Sequence, residues 1–184
     1  MYVCILICNT ILSALFLIGI NNNGKSDVVF LVDSASISNK KEFRKTLAFI
    51  KDYVSGANID HGDVRVGLII SNQKNYVRFY LNQFSTKHEV LDALEVTSYK
   101  QGRSNLAESL KIMRNQVFSE RFGDRADAPN FALLLLNNQS HSTNSDVIDV
   151  EFDLAQKEGI HIFAFDIGES NLKCLKDVFL KPSE

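Results

Sequence analysis

One aspartate and two serines follow a run of five apolar residues near the start of the chain. The stretch is DVVFLVDSASIS, and Asp33, Ser34 and Ser36 come directly after the apolar run. A hard divalent cation is bound by carboxylate, hydroxyl and carbonyl oxygens supplied from loops. Two further stretches offer polar side chains, because KQGRSN contains Ser104 and LLLLNNQS contains Asn137. These five residues are the candidate metal ligands.

Serines in such a loop could also serve an enzyme, but the rest of the sequence does not favour one. A hydrolase needs a base and an orienting group beside its nucleophile. No GxSxG sequence surrounds the serines, and DSASIS lacks the glycines that let a backbone approach a pyrophosphate. The histidines lie in unrelated contexts: His61, His88, His141 and His161. We expect no enzyme activity and no small-molecule substrate, and an α/β-fold enzyme is kept only as an unfavoured alternative.

Composition is that of one ordinary soluble domain. Of the 184 residues 45% are hydrophobic and 23% are charged, which provides enough apolar material for a substantial core. The formal net charge is -2, and lysine and arginine are spread along the chain rather than grouped in a stripe. We therefore expect no nucleic-acid partner.

The apolar patterns predict a sheet with helices on both faces. Four short runs, DVVFLV, VRVGLII, FALLLL and HIFAFDI, are typical of strands buried on both sides. NYVRFYL alternates in polarity and predicts a half-exposed edge strand. Stretches with helical spacing lie between them, and the predicted order is β-α-β-β-α-α-β-α-β-α. Ligands of such sheets gather at the carboxyl ends of the strands, where Asp33, Asn137 and Asp166 fall.

Two of the predicted helices have recognisable ends. NKKEFRKTLAFIKDYV has apolar residues at helical spacing, and Asn39 precedes it as an N-cap. SDVIDVEFDLAQKEG ends at Gly159, which we predict to be its C-cap. KHEVLDAL and SNLAESLKIMRNQVF are the other predicted helices.

The first twenty residues predict export. They carry no charged side chain and precede the polar NNNGKS, as a secretory hydrophobic segment does. We assign residues 1–25 to a signal peptide or hydrophobic leader and 26–184 to the domain. A membrane anchor is the alternative for localisation, since about twenty apolar residues can span a bilayer, and a buried first helix is another.

Export would affect the cysteines and one asparagine. Cys4 and Cys8 would leave with the leader, and only Cys174 would remain. Cys174 is predicted to be a small buried apolar residue, with a bridge to another segment as the alternative. The sequence NQS makes Asn138 a possible glycosylation site in an exported chain.

From Ser26 onward the chain resembles the von Willebrand factor type A domain. In that family a strand ends in D-x-S-x-S, a later loop supplies a threonine, and another strand ends in T-D-G. Together these groups form a metal-ion-dependent adhesion site. FLVDSASISNKKEF is similar to the family pattern with one residue deleted after Asp33. The resemblance then makes Ser34 and Ser36 the equivalents of the two serines.

The remaining positions depart further from the family pattern. Without a gap, the two serine positions hold Ala35 and Ile37, which cannot ligate a metal. Ser104 corresponds to the threonine, Asn137 replaces the second aspartate, and Leu136 replaces the threonine before it. The resemblance therefore implies a degenerate site that binds Mg²⁺ or Ca²⁺ weakly or not at all. A metal-dependent adhesion domain that binds an acidic group of a protein ligand is the main alternative.

The middle of the chain resembles the A domains of particular proteins within this family. SLKIMRNQVFSERFGDRADAPNFALLLL is similar to A domains of collagen type VI, and more loosely to those of matrilins and collagen type XII. This implies a Rossmann-like, doubly wound, mostly parallel sheet with one antiparallel edge strand. It also implies a secreted protein-binding module of the extracellular matrix, with collagens, other matrix proteins or other A domains as partners. Such domains continue beyond FLKPSE, so we expect the C-terminal end to be truncated.

Overall fold

The computed structural model describes residues 24–72, 74, 76–137, 145–167 and 173–174. Its strands form one sheet, and most of them are short and apolar. The strands are β1 (Ser26–Asp33), β2 (Val64–Ser71), β3 (Tyr76–Phe79), β4 (Asn130–Leu136), β5 (Ile160–Asp166) and β6 (Lys173–Cys174).

The sheet has the strand order β3-β2-β1-β4-β5-β6. The central strand β1 runs parallel to β2 and β4, and β4 runs parallel to β5. The edge strand β3 is antiparallel to β2. The predicted doubly wound, mostly parallel sheet with an antiparallel edge strand is therefore confirmed.

A second antiparallel edge strand, β6, was not predicted from the sequence. Lys173 and Cys174 form β6, which pairs with β5. Two residues are too short for a polarity pattern to indicate a strand. The sequence predicts a helix after β5, and the rest of that segment lies outside the described residues, as does the side chain of Cys174.

Helices cover both faces of the sheet. They are α1 (Lys40–Gly56), α2 (Lys87–Glu95), α3 (Leu106–Ile112) and α4 (Ser145–Lys157). A π-helical turn, Met113–Val117, continues α3, and a 3-10 turn follows at Glu120–Phe122.

The predicted helix ends are confirmed. The Asn39 side chain accepts hydrogen bonds from the backbone N–H groups of Lys41 and Glu42 at 2.9 and 3.1 Å, and these donors have no partner within the helix. Gly159 follows α4 with φ of 80°, a conformation that favours glycine. Among the residues that the structure describes, no helix combines the length and apolarity needed to cross a bilayer.

The core is divided by the sheet into two apolar clusters. Val28, Phe30 and Val32 of β1 pack in the cluster beneath α1 and α2, whereas Val29 and Leu31 pack in the cluster beneath α3 and α4. All five side chains are fully buried. Burial of each such side chain stabilises the fold by about 1.5–3 kcal/mol. The continuous apolar run in the sequence therefore reflects burial on both faces.

A buried ion pair closes the amino end of β1. The Asp27 carboxylate has no exposed surface. It accepts hydrogen bonds from the backbone N–H and the Nε–H of Arg125 at 2.8 and 2.9 Å. The same guanidinium donates to the carbonyl groups of Ser26, Gly62 and Asp63. Burial raises the pKa of Asp27, and the contacts with Arg125 limit the increase.

Candidate functional site

The predicted ligands meet at the carboxyl edge of the sheet. Asp33 is the last residue of β1 and Asn137 follows β4, while Ser104 lies in the loop before α3. The Ser104 hydroxyl donates to Asp33 Oδ2 at 3.1 Å. The Asn137 backbone N–H donates to the Ser36 hydroxyl at 2.9 Å. The fold therefore brings together residues that are 71 and 101 positions apart.

The Asp33 carboxyl group is buried and incompletely hydrogen-bonded. Asp33 is 4% exposed, and its Oδ1 atom accepts no hydrogen bond within the described part of the chain. Burial raises the pKa of Asp33. The Ser104 hydroxyl, and then the nearby backbone amides of Ala35 and Ser36, oppose that increase. The Asp33 carboxylate thus lies in a poorly solvated position.

Ser36 joins the loop after β1 to the end of β4. Its hydroxyl donates to the carbonyl oxygen of Asp33 at 2.8 Å and accepts the N–H of Asn137 at 2.9 Å. Both partners are main-chain groups. Ser36 therefore provides a hydrogen-bond acceptor for the buried N–H of Asn137. Serine side chains in loops commonly have this structural role.

Ser34 joins the same loop to the other side of the site. Its hydroxyl lies 3.0 Å from the carbonyl oxygens of Ser71 and Lys100, and it can donate to either. Its N–H also lies 3.1 Å from the Ser71 carbonyl oxygen. Ser34 therefore ties β1 to the end of β2 and to the segment that leads to Ser104.

Without a gap after Asp33, the two serine positions of the family pattern fall on Ala35 and Ile37, and neither side chain is suited to bind a cation. Ile37 is 2% exposed and packs in the apolar cluster beneath α1, and Ala35 is half-buried. The polar groups of this loop that contact the ends of β2 and β4 are Ser34 and Ser36, the positions of the alignment with a gap.

The donor set fits a divalent cation poorly. Ca²⁺ is normally held by six to eight oxygens including several carboxylates, and Mg²⁺ by an octahedral set. Here Asp33 is the only carboxylate among the five candidates. The hydroxyl groups of Ser34 and Ser36 donate to main-chain oxygens, and the Ser36 hydroxyl also accepts a main-chain N–H. No cluster of three acidic, histidine or cysteine residues occurs in the described ranges.

Several groups at this edge were not predicted from the sequence. The carbonyl oxygens of Ser71 and Lys100 lie at the site, and a main-chain carbonyl has no signal in residue type. Asn72 is buried and its side chain accepts the N–H of Lys74. Tyr99 donates to the Ile37 carbonyl at 2.7 Å. Asn138, the possible glycosylation site, lies outside the described residues.

We predict that Ser36→Ala lowers the free energy of unfolding by about 1–3 kcal/mol, because it removes the hydroxyl group that accepts the buried Asn137 N–H. Urea unfolding followed by circular dichroism measures the change. Ser38→Ala is the matched control, since Ser38 is exposed, and it should change stability by less than about 0.5 kcal/mol. Equal effects of the two substitutions would contradict the assigned role of Ser36.

Comparison with known proteins places this geometry in a family. The family model of the von Willebrand factor type A domain matches residues 27–184. The mouse collagen alpha-4(VI) chain is 29% identical over 161 residues, which cover 86% of this chain. Chicken matrilin-1 is 26% identical over 162 residues, which cover 85% of this chain. The chain spans only 7% of the length of the collagen chain and 32% of that of matrilin-1.

Solved structures agree with the fold. Proximal thread matrix protein 1 from the mussel byssus has a TM-score of 0.69 at 21% identity, covering 76% of this chain and 37% of the mussel chain. A further structure of that protein has zinc in its metal-ion-dependent adhesion site (MIDAS) motif and has the same TM-score. The sheet order and the family match agree. The chain belongs to the von Willebrand factor type A domain family.

Proposed function

We propose that this chain is an extracellular protein-binding module of a collagen VI-like matrix protein. The observation that carries the proposal is the match of 86% of the chain to one segment of a collagen VI chain. Collagens, other matrix proteins and other A domains are the proposed partners. Nucleic acids and small-molecule substrates are not, and the module is proposed to have no enzyme activity. The proposed domain covers residues 26–184 after a leader at 1–25.

The proposed binding mode relies on surface complementarity rather than on a bound metal. Support comes from the five candidate ligands, among which Ser34 and Ser36 bind main-chain groups and Asp33 is the only carboxylate. Asp33, Ser34, Ser36, Ser104 and Asn137 thus form a degenerate adhesion site. A metal-dependent adhesion domain is the second candidate, and the zinc-occupied motif of the mussel protein favours it.

The proposed module is secreted, and expression in cultured animal cells with a C-terminal tag tests this prediction. The protein should appear in the medium, with its N-terminus between Asn21 and Ser26. Asn138→Gln should remove any glycan and increase electrophoretic mobility. Protein confined to the cytosol would contradict the extracellular assignment, and protein held in membranes would favour the anchor.

Binding to matrix proteins separates the two binding modes. The secreted chain is applied to immobilised collagens and matrilins, with millimolar Mg²⁺ or with EDTA. We expect equal binding in both buffers, and equal binding by wild type and Asp33→Ala. Binding that is lost both in EDTA and in Asp33→Ala would establish the metal-dependent mode instead.

A further inference from the structure

Two helices on opposite faces of the sheet carry opposite net charge. Helix α1 has five basic and two acidic side chains, a net charge of +3, whereas α4 has four acidic and one basic, a net charge of -3. The whole chain carries only -2. Helix α1 packs on one apolar cluster and α4 on the other. Helices α1 and α4 therefore present opposite net charge on opposite faces of the sheet.

A groove with a net basic rim lies beside α1, because Lys40, Arg44 and Lys51 line it against one acid, Glu95, which pairs with Lys51. It runs between α1 and residues 94–99, and has a volume of about 450 Å³. Lys40, Arg44 and Ala48 line it from successive turns of α1. Neither Lys40 nor Arg44 forms a salt bridge with any residue that the structure describes. Val96, on the opposite wall, is 71% exposed. We call this surface the α1 groove.

The outer face of α4 has the complementary character. Val147 and Val150 are 53% and 55% exposed. Asp149 and Asp153 are exposed on the same side of the helix, and neither forms a salt bridge within the described ranges. This surface, defined by these four residues, is the α4 face. Its acids flank apolar side chains, as in many interface patches.

The exposed apolar residues point to the same two surfaces. In the described part of the chain the exposed large apolar side chains are Val96, Val147 and Val150, so each lies on the α1 groove or the α4 face. Asp149 and Asp153 are four residues apart, as are Lys40 and Arg44, which places each pair about 6 Å apart along its helix. When the two helices pack against each other, both basic side chains can therefore face an acidic side chain at the same time.

We propose that the α1 groove of one copy of this chain receives the α4 face of a second copy. Lys40 and Arg44 would pair with Asp149 and Asp153, and the valines would be buried between the helices. Because the two surfaces lie on opposite sides of the sheet, each copy keeps a free groove and a free face. A contact of this kind is heterologous and continues into rows of copies. The proposal rests on the proposed function, since it assigns a surface to A-domain partners.

Sedimentation velocity of the secreted chain tests the proposal. A contact between two helices is small, so association is weak and is measured at up to about 200 µM protein. The sedimentation coefficient should rise with concentration in low salt, and the rise should shrink in about 0.5 M NaCl, because exposed ion pairs are screened. A wild-type chain that stays monomeric throughout this range overturns the proposal.

Charge reversal identifies the surfaces. Lys40→Glu with Arg44→Glu, and separately Asp149→Lys with Asp153→Lys, should each weaken association at least about tenfold, because like charges then face each other. An equimolar mixture of the two variants should associate again, since each acidic pair then meets a basic pair. The matched control is Arg78→Glu with Arg121→Glu, which reverses two exposed charges off both surfaces and should associate as wild type does.

The outcomes separate this proposal from the proposed function. Association that persists in both reversed variants, or a mixture that stays monomeric, overturns the pairing of the α1 groove with the α4 face. Secretion and matrix binding by a monomeric chain would leave the proposed function standing. Retention in the cytosol would remove the proposed function, whatever the sedimentation results.

Discussion

Replacement of Arg125 by methionine is expected to lower the free energy of unfolding by about 3–5 kcal/mol at pH 7, the usual effect of removing one partner of a buried ion pair. The Asp27 carboxylate has no exposed surface, and the Arg125 side chain is its charged partner at 2.8 Å. Methionine preserves most of the side-chain volume, but it has no positive charge, so the Asp27 carboxylate is left buried without its charged partner. The carbonyl groups of Ser26, Gly62 and Asp63 lose a donor as well.

The loss should depend on pH with a definite sign. Burial already raises the pKa of Asp27 in the folded chain, and Arg125 opposes the rise. Without the guanidinium the folded-state pKa rises further, while the unfolded value is unchanged. The folded variant then binds a proton at pH values where the unfolded chain has lost it, so its stability falls as pH increases. The deficit relative to wild type should be smaller at pH 5 than at pH 7.

Urea unfolding at both pH values checks this prediction. Arg78→Met is the matched control, because Arg78 is exposed on β3, and it should change stability by less than about 0.5 kcal/mol. Adding Asp27→Asn to Arg125→Met should recover part of the loss, since no buried charge then remains unpaired. A loss below about 1 kcal/mol that does not change with pH would contradict the assigned role of the pair.

The second large effect is expected from repair of the adhesion site. We predict that Asn137→Asp, combined with one glycine inserted between Asp33 and Ser34, restores cation-dependent stabilisation. The substitution supplies a second carboxylate, and the insertion restores the family spacing, which releases Ser34 from the carbonyl oxygens of Ser71 and Lys100. A cation at 100 times its dissociation constant would then stabilise the fold by about 2.7 kcal/mol.

Thermal unfolding with millimolar Mg²⁺, Ca²⁺ or Mn²⁺, against EDTA, measures the effect. The unmodified chain should show little or no shift, and either change alone should restore less than the pair, because charge and loop geometry are both required. Asp33→Ala in the repaired chain is the control and should abolish the shift. A clear shift in the unmodified chain that Asp33→Ala removes would show that the site is competent as it stands.

The local elements, and the edge of the sheet where the polar groups meet, could be predicted from residue types and spacing alone. DVVFLV could be assigned to a buried strand because both faces of β1 contact apolar clusters, and burial on both sides requires a continuous apolar run. Asn39 could be assigned as a helix cap because its partners are only two and three residues away. Such contacts depend on local conformation, which residue type and spacing constrain directly.

The partners of the polar side chains could not be predicted in this way, because they depend on the complete fold. Ser34 and Ser36 were candidate ligands on residue type, but their partners are main-chain groups, and three of these lie 37, 66 and 101 positions away. Asp27 and Arg125 are 98 positions apart, and nothing in either stretch indicates the pair. The opposition of α1 and α4 across the sheet likewise follows from the crossovers of the chain. Contacts of this range form only when long loops close, so they depend on the complete packing of the sheet and its helices rather than on local sequence.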